Sequence, residues 1–143
     1  TALRPEHLGL MSGKLMVREG KGAKDRTLWI GEELLEELQG WMDRRKATAP
    51  KADYLLPTSK GTQVATSHLR RSVKRYARDA GIEEVERVSP HTLRHTFATR
   101  LYQETGKIRL VQKALGHSDL STTMIYTHVV DEELERAMKG LWD

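Results

Sequence analysis

The chain has no cysteine among its 143 residues. A disulfide framework, a thiolate zinc site and a cysteine nucleophile are therefore excluded. It also has no apolar run near the roughly 20 residues that cross a bilayer, and Thr1 to Gly9 lacks the basic-then-apolar order of a secretory signal. A cytoplasmic protein with no membrane partner is expected. Internal repeats and low-complexity tracts are absent as well. The length suits one domain around one sizeable core, with no room for a second. The opening residues read as the interior of a helix, as they would in a piece cut from a longer protein. With 38% hydrophobic and 31% charged residues, the composition is that of a globular domain and excludes disordered and fibrous classes.

A net charge of +4 and a pI near 9.4 suit a polyanionic partner, but the distribution says more than the total. Between His68 and Arg78, the basic residues Arg70, Lys74 and Arg78 recur every fourth position, with Arg71 and Arg75 one step round. On a helix they form one cationic band that could follow a phosphate backbone. Leu69, Val73, Tyr76, Ala77 and Ala80 would face the core. The competing reading of this band is a solvated helix face. Acidic residues gather elsewhere, at Glu32, Glu33, Glu36 and Glu37 and from Asp131 to Glu135, where they complement helix N-termini.

The expected fold is mainly α with a small antiparallel β-sheet. Leu15 to Arg18 and Thr27 to Ile30 read as strands joined by a glycine-rich hairpin from Glu19 to Asp25, with a third strand at Tyr54 to Leu56. Leu34, Leu35, Leu38, Trp41 and Met42 mark an amphipathic helix that should fray into a polar loop from Arg44 to Asp53. Asp131 begins a tail in which Leu134, Met138 and Leu141 or Trp142 recur at helical spacing. Such a short helix must dock to persist.

Two segments carry chemistry. In the first, Ser89 is a good N-cap and Pro90 fits the first helical position, so His91 falls in the first turn. Leu93, Phe97 and Leu101 make a core stripe, and His91, Arg94 and Ala98 share the neighbouring face. Free N–H groups, a histidine and an arginine fork together suit a phosphate. His91 and His95 also have the spacing of a zinc helix, but Thr92 stands where that motif needs a glutamate and Arg94 would repel a cation. In the second segment, Ile108, Val111 and Leu115 form the core stripe of a short helix that Gly116 terminates, placing His117 at an exposed corner. Ser118 or Asp119 then caps a helix in which Tyr126 lies about two turns along. Taken alone, such a tyrosine is usually half-buried core with a wet hydroxyl. No Asp or Glu pair accompanies these motifs, as two-metal nuclease chemistry would require.

His91-x-x-Arg94, Leu115-Gly116-His117 and Thr123-Met124-Ile125-Tyr126-Thr127-His128, in this order, resemble the signature of the tyrosine site-specific recombinases, the phage integrase and Xer group. Thr1-Ala2-Leu3-Arg4 resembles the segment that carries that family's first catalytic arginine. Gly20-Lys21-Gly22-Ala23-Lys24-Asp25-Arg26 resembles the hairpin that carries its lysine. The Pro5-Glu6-His7-Leu8 stretch after Arg4 is slightly shorter than the family pattern.

The resemblance implies that residues 1–143 form the family's catalytic domain, with the N-terminal clamp domain lying outside this sequence. It implies a catalytic set of Arg4, Lys21, His91, Arg94, His117 and Tyr126, no metal and no cofactor, double-stranded DNA as partner, and a tetramer on DNA formed from free monomers. DNA would be cut and rejoined through a 3′-phosphotyrosine, and the C-terminal segment would pass to a neighbouring subunit. A type IB topoisomerase uses similar chemistry, but the usual surroundings of its tyrosine differ from the Leu-Gly-His…Tyr run. A DNA-binding module that has lost catalysis would keep the basic band and not the reaction.

Overall fold

A computed structural model describes residues 1–18, 25–116 and 121–141, with side chains for all of these except 121–130. The chain divides into two compact units, Thr1–Glu83 and Glu84–Asp143.

The first unit holds a three-stranded antiparallel sheet in the order β1 (Leu8–Gly9), β2 (Lys14–Val17) and β3 (Arg26–Trp29). Leu8 pairs with Leu15, and Leu15 with Leu28, so three leucines form a row across one face. Leu8 is buried at the end of that row. The opposite face carries Lys14, Thr27 and Trp29, all exposed, as the two-residue alternation of a strand requires. The turn between β1 and β2 depends on Gly13. Its φ is +71°, and a Cβ there would lie 2.8 Å from the Ile30 carbonyl oxygen, which fixes β3 beside the turn. Both predicted hairpin strands exist, each one residue earlier than expected. The third strand is β1, not Tyr54–Leu56. That stretch instead closes a backbone hydrogen bond with the start of the chain, the Leu55 amide donating to the Leu3 carbonyl at 2.7 Å. Thr1 to Arg4 accordingly has no helical structure, contrary to expectation.

Helix α1 (Glu32–Thr48) runs past the point where the sequence predicts a loop. The reason is Arg45, only 6% exposed. Its Nε donates to the Tyr54 carbonyl at 3.0 Å and its Nη2 to the Ala52 carbonyl. A buried guanidinium held by carbonyls adds a tertiary anchor to the last turn, where cations already complement the dipole. Trp41 Nε1 donates to the Leu55 carbonyl at 2.8 Å, so α1 grips the segment after it at two points. Helix α2 (Thr66–Asp79) follows.

Among the described residues, the second unit holds three α-helices, α3 (Pro90–Thr105), α4 (Ile108–Leu115) and α5 (Ser121–Gly140), after a short 3-10 turn at Val85–Arg87. Ser89 caps α3 as predicted, its Oγ accepting from the Thr92 amide at 3.3 Å. The core is Ala98, Tyr102, Val111 and Leu115, with Leu101 and Ile108 at its edge. The stripe on α4 is the predicted one. The stripe on α3 is not, since Leu93 and Phe97 are 54% and 47% exposed and Ala98 and Tyr102 are buried instead. Ala98 has no bulk beyond Cβ, so α4 can approach α3 closely along that line. The tail after Tyr126 is not a separate helix beginning at Asp131. It is the second half of α5.

Candidate active site

Of the six residues expected at a catalytic centre, the structure describes the side chains of Arg4, His91 and Arg94. Lys21 and His117 lie outside the described residues, as do the expected caps Ser118 and Asp119. Tyr126 is described only as a position on α5.

Arg4 is exposed and extended, at φ −115° and ψ 156°. Its amide donates to His7 Nδ1 at 3.1 Å, and its guanidinium lies over the Tyr54 ring, 5.6 Å from the centroid. A cation over an aromatic face is weakly attracted to it, so the ring gives the side chain a preferred position without neutralising it. Tyr54 is held in turn, because its carbonyl is one of those gripped by Arg45. The placement of Arg4 thus traces back to a buried arginine on α1. Nothing in the sequence signals that role, since Arg45 stands within Arg44-Arg45-Lys46, a run that reads as surface charge.

His91 sits in the first turn of α3, exposed, with its ring against that of His95, centroids 4.3 Å apart at 62°. Arg94, one turn on, is half-buried, and its Nη2 donates to the Leu115 carbonyl at 2.6 Å. Leu115 is the last residue of α4, and the chain then turns at Gly116, whose φ of +90° favours glycine. Arg94 therefore braces the corner from which His117 follows. A guanidinium has five donors, so a bond to this carbonyl is compatible with action on an anion too. Among the described residues, no group of three His, Asp or Glu side chains is placed to hold a metal ion.

Tyr102 is a residue that no sequence signal singles out. Its hydroxyl donates to Glu133 Oε2 on α5 at 2.7 Å. That hydrogen bond, then burial, then the Glu133 charge push the Tyr102 pKa above the usual phenol value, so the hydroxyl remains a donor.

On α2, Arg70, Arg71, Arg75 and Arg78 are exposed and Lys74 is half-buried. The Arg75 guanidinium lies over the Tyr76 ring at 5.1 Å. The opposite side is less apolar than expected. Ala77 is buried and Val73 half-buried, but Leu69 is 38% and Tyr76 62% exposed, and Ala80 is exposed. Among the described residues, no helix is long and apolar enough to cross a membrane.

Residues 1–133 match the phage integrase family. The chain is 40% identical over 138 residues to tyrosine recombinase XerD of Vibrio cholerae, covering 94% of this chain and 45% of XerD. It is 39% identical over 140 residues to tyrosine recombinase XerA of Thermococcus kodakarensis, covering 96% and 47%. The chain thus spans about half the length of the curated relatives it matches. A crystal structure of XerA recombinase superposes with a TM-score of 0.80 at 36% identity, over 96% of this chain and 50% of that one. The site-specific recombinase XerH, in a post-cleavage complex with a palindromic difH substrate, gives 0.77 at 34% identity, over 99% and 40%. The mainly helical fold with its small antiparallel sheet is that of these recombinases, and the chain belongs to the phage integrase family of tyrosine recombinases.

Proposed function

We propose that this chain is the catalytic domain of a cytoplasmic site-specific DNA recombinase that cleaves and rejoins double-stranded DNA through a 3′-phosphotyrosine at Tyr126. The observation that carries the reading is the ordered set His91, Arg94, His117 and Tyr126 within a unit where Arg94 is bonded to the end of α4. The XerH relative was solved in a post-cleavage complex with DNA, which supports the same chemistry.

In this reading Arg4, Arg94 and His117 hold the scissile phosphate and offset the charge that builds on the pentavalent phosphorus. His91 assists the Tyr126 hydroxyl, since a phenol of pKa about 10 needs help to lose its proton at neutral pH. As the tyrosine oxygen bonds to phosphorus, the bond to the 5′-oxygen breaks, and Lys21 gives that oxygen its proton. A 5′-hydroxyl from another strand then attacks the phosphotyrosine and releases Tyr126. One phosphodiester is exchanged for another, so no ATP is consumed. Every charge-stabilising role falls to a side chain, and neither metal nor cofactor is assigned. The protein is monomeric when free and tetrameric on DNA, with the exposed apolar residues of the segment after Tyr126, Leu134, Met138 and Leu141, contacting the next subunit while Glu133 stays on its own chain.

The test is a pool of nicked duplexes of randomised sequence, incubated with the protein with and without excess EDTA. The expected product is a DNA adduct that survives SDS and is destroyed by protease, in equal yield in both arms. No adduct from any duplex would overturn the reading, and an EDTA-sensitive adduct would return His91 and His95 to consideration as metal ligands.

The α2 band gives a separate expectation. Changing Arg70, Lys74 and Arg78 together to Gln should weaken binding to all DNA sequences alike. It should also flatten the salt dependence by about 0.9 in log–log slope for each phosphate that the band no longer neutralises. Binding isotherms over a salt series decide it, and an unchanged slope identifies the band as an ordinary solvated face.

A further inference from the structure

Among the described side chains of α5, Glu133 alone is half-buried, and all the others are exposed. The described apolar residues of the tail do not dock on this chain, and Trp142 lies outside the described residues. Leu134, Met138 and Leu141 are 55%, 58% and 67% exposed. The half-buried residue is instead the one that accepts a 2.7 Å hydrogen bond from Tyr102. Tyr102 belongs to the core cluster with Ala98, Val111 and Leu115, and Arg94 bonds to the Leu115 carbonyl. One helix, α3, therefore presents His91 and Arg94, packs α4 and holds α5.

We infer that the Tyr102–Glu133 pair is a positioning latch that sets the rotation and height of α5, and hence the approach of Tyr126 to the phosphate held by α3. The inference rests on the proposed role of Tyr126. Glu133 lies about two helical turns beyond Tyr126, which returns it to the same side of α5. A bond there fixes rotation of the helix about its axis, which apolar contacts resist poorly. Its chemistry suits the task. The donor is a rigid ring buried in the core, and the acceptor is a charged carboxylate, so the bond is directional and stronger than a neutral pair. Glu133 touches no reacting atom in this scheme. It acts through Tyr126.

Three variants test the latch. Tyr102→Phe removes the donor, Glu133→Ala removes the acceptor, and Glu133→Gln keeps an amide oxygen that can still accept. Single-turnover adduct formation at saturating DNA should slow by between about tenfold and a hundredfold in the first two, the range expected for a misplaced reacting group. Glu133→Gln should stay near the wild-type rate. Non-covalent DNA affinity should hardly change in any of them. The melting temperature should fall modestly in Tyr102→Phe and Glu133→Ala, as the loss of one charge-assisted hydrogen bond requires, and hardly at all in Glu133→Gln. Equal rates throughout, or a slower rate matched by weaker DNA binding, would overturn the latch, and so would failure of Gln to restore the rate.

Amide hydrogen exchange on the free protein keeps the latch separable from the reaction. Peptides from α5 should exchange faster in Tyr102→Phe than in wild type, while those from α4 should not. Unchanged α5 exchange overturns the latch whatever the DNA assay gives. Absence of any adduct from wild type overturns the recombinase reading alone, and the latch then stands or falls on exchange.

Discussion

Tyr126→Phe is expected to abolish covalent attachment to DNA and to leave the fold and non-covalent binding almost unchanged. Only a hydroxyl is removed, and phenylalanine and tyrosine have nearly equal helix propensities, so α5 loses little. Without that oxygen there is no group to take the phosphate at this position, and loss of a covalent nucleophile typically costs on the order of 10⁴-fold or more. SDS-stable adducts on the nicked substrate should therefore fall below detection, while gel-shift affinity and the melting transition remain. A protease-sensitive adduct persisting in the variant would mean that another residue is the nucleophile. His128, two residues further along the sequence, is one alternative, and it would form an acid-labile phosphoramidate rather than a phenolic ester.

Local signals in the sequence are legible and correct: Ser89 and Pro90 start α3, Gly116 ends α4, and Ile108, Val111 and Leu115 form the stripe between them. Each depends only on near neighbours in the chain, where periodicity and capping chemistry decide the outcome. Positions that depend on partners far away in sequence are not legible in this way. Leu93 and Phe97 are large and apolar and so mark the core side of α3 by pattern, whereas the helix packs along Ala98 and Tyr102, where α4 lies. Volume at one position says little about which face a neighbouring helix occupies.

Arg45 shows the same limit in a polar residue. Its charge forecasts exposure, and only the folded chain brings the Ala52 and Tyr54 carbonyls to it. The extended path of Thr1 to Arg4 has no local signal because its partners are Leu55 and Gln63, both remote in sequence. For the candidate site, the motif residues are legible as a set, while their supports, Arg45, Tyr54, Tyr102 and Glu133, are not. Motifs are spaced along the chain, and supports are defined by packing.

Arg94 should show the second-largest effect. Replacing it by Lys is expected to lower the rate of adduct formation by about 10² to 10³-fold, the usual cost of losing a preorganised donor to a developing oxyanion. Lysine keeps the charge but not the planar fork, so it can draw in the phosphate without bonding it and the Leu115 carbonyl in one geometry. Affinity for DNA should consequently fall much less than the rate. Arg94→Ala removes both functions. Beyond the kinetic effect, the Leu115 carbonyl beside the core is deprived of its 2.6 Å donor, at a cost of about 1–3 kcal/mol if water does not replace it. Ala should therefore lower the melting temperature and Lys should do so less. If Arg94→Lys cleaves at the wild-type rate, Arg94 supplies only general positive charge. If rate and affinity fall together in both variants, it contributes to holding DNA and not to the transition state. A slow Lys variant that still binds would instead place the guanidinium on the phosphate, with its bond to α4 holding it there in advance of the reaction.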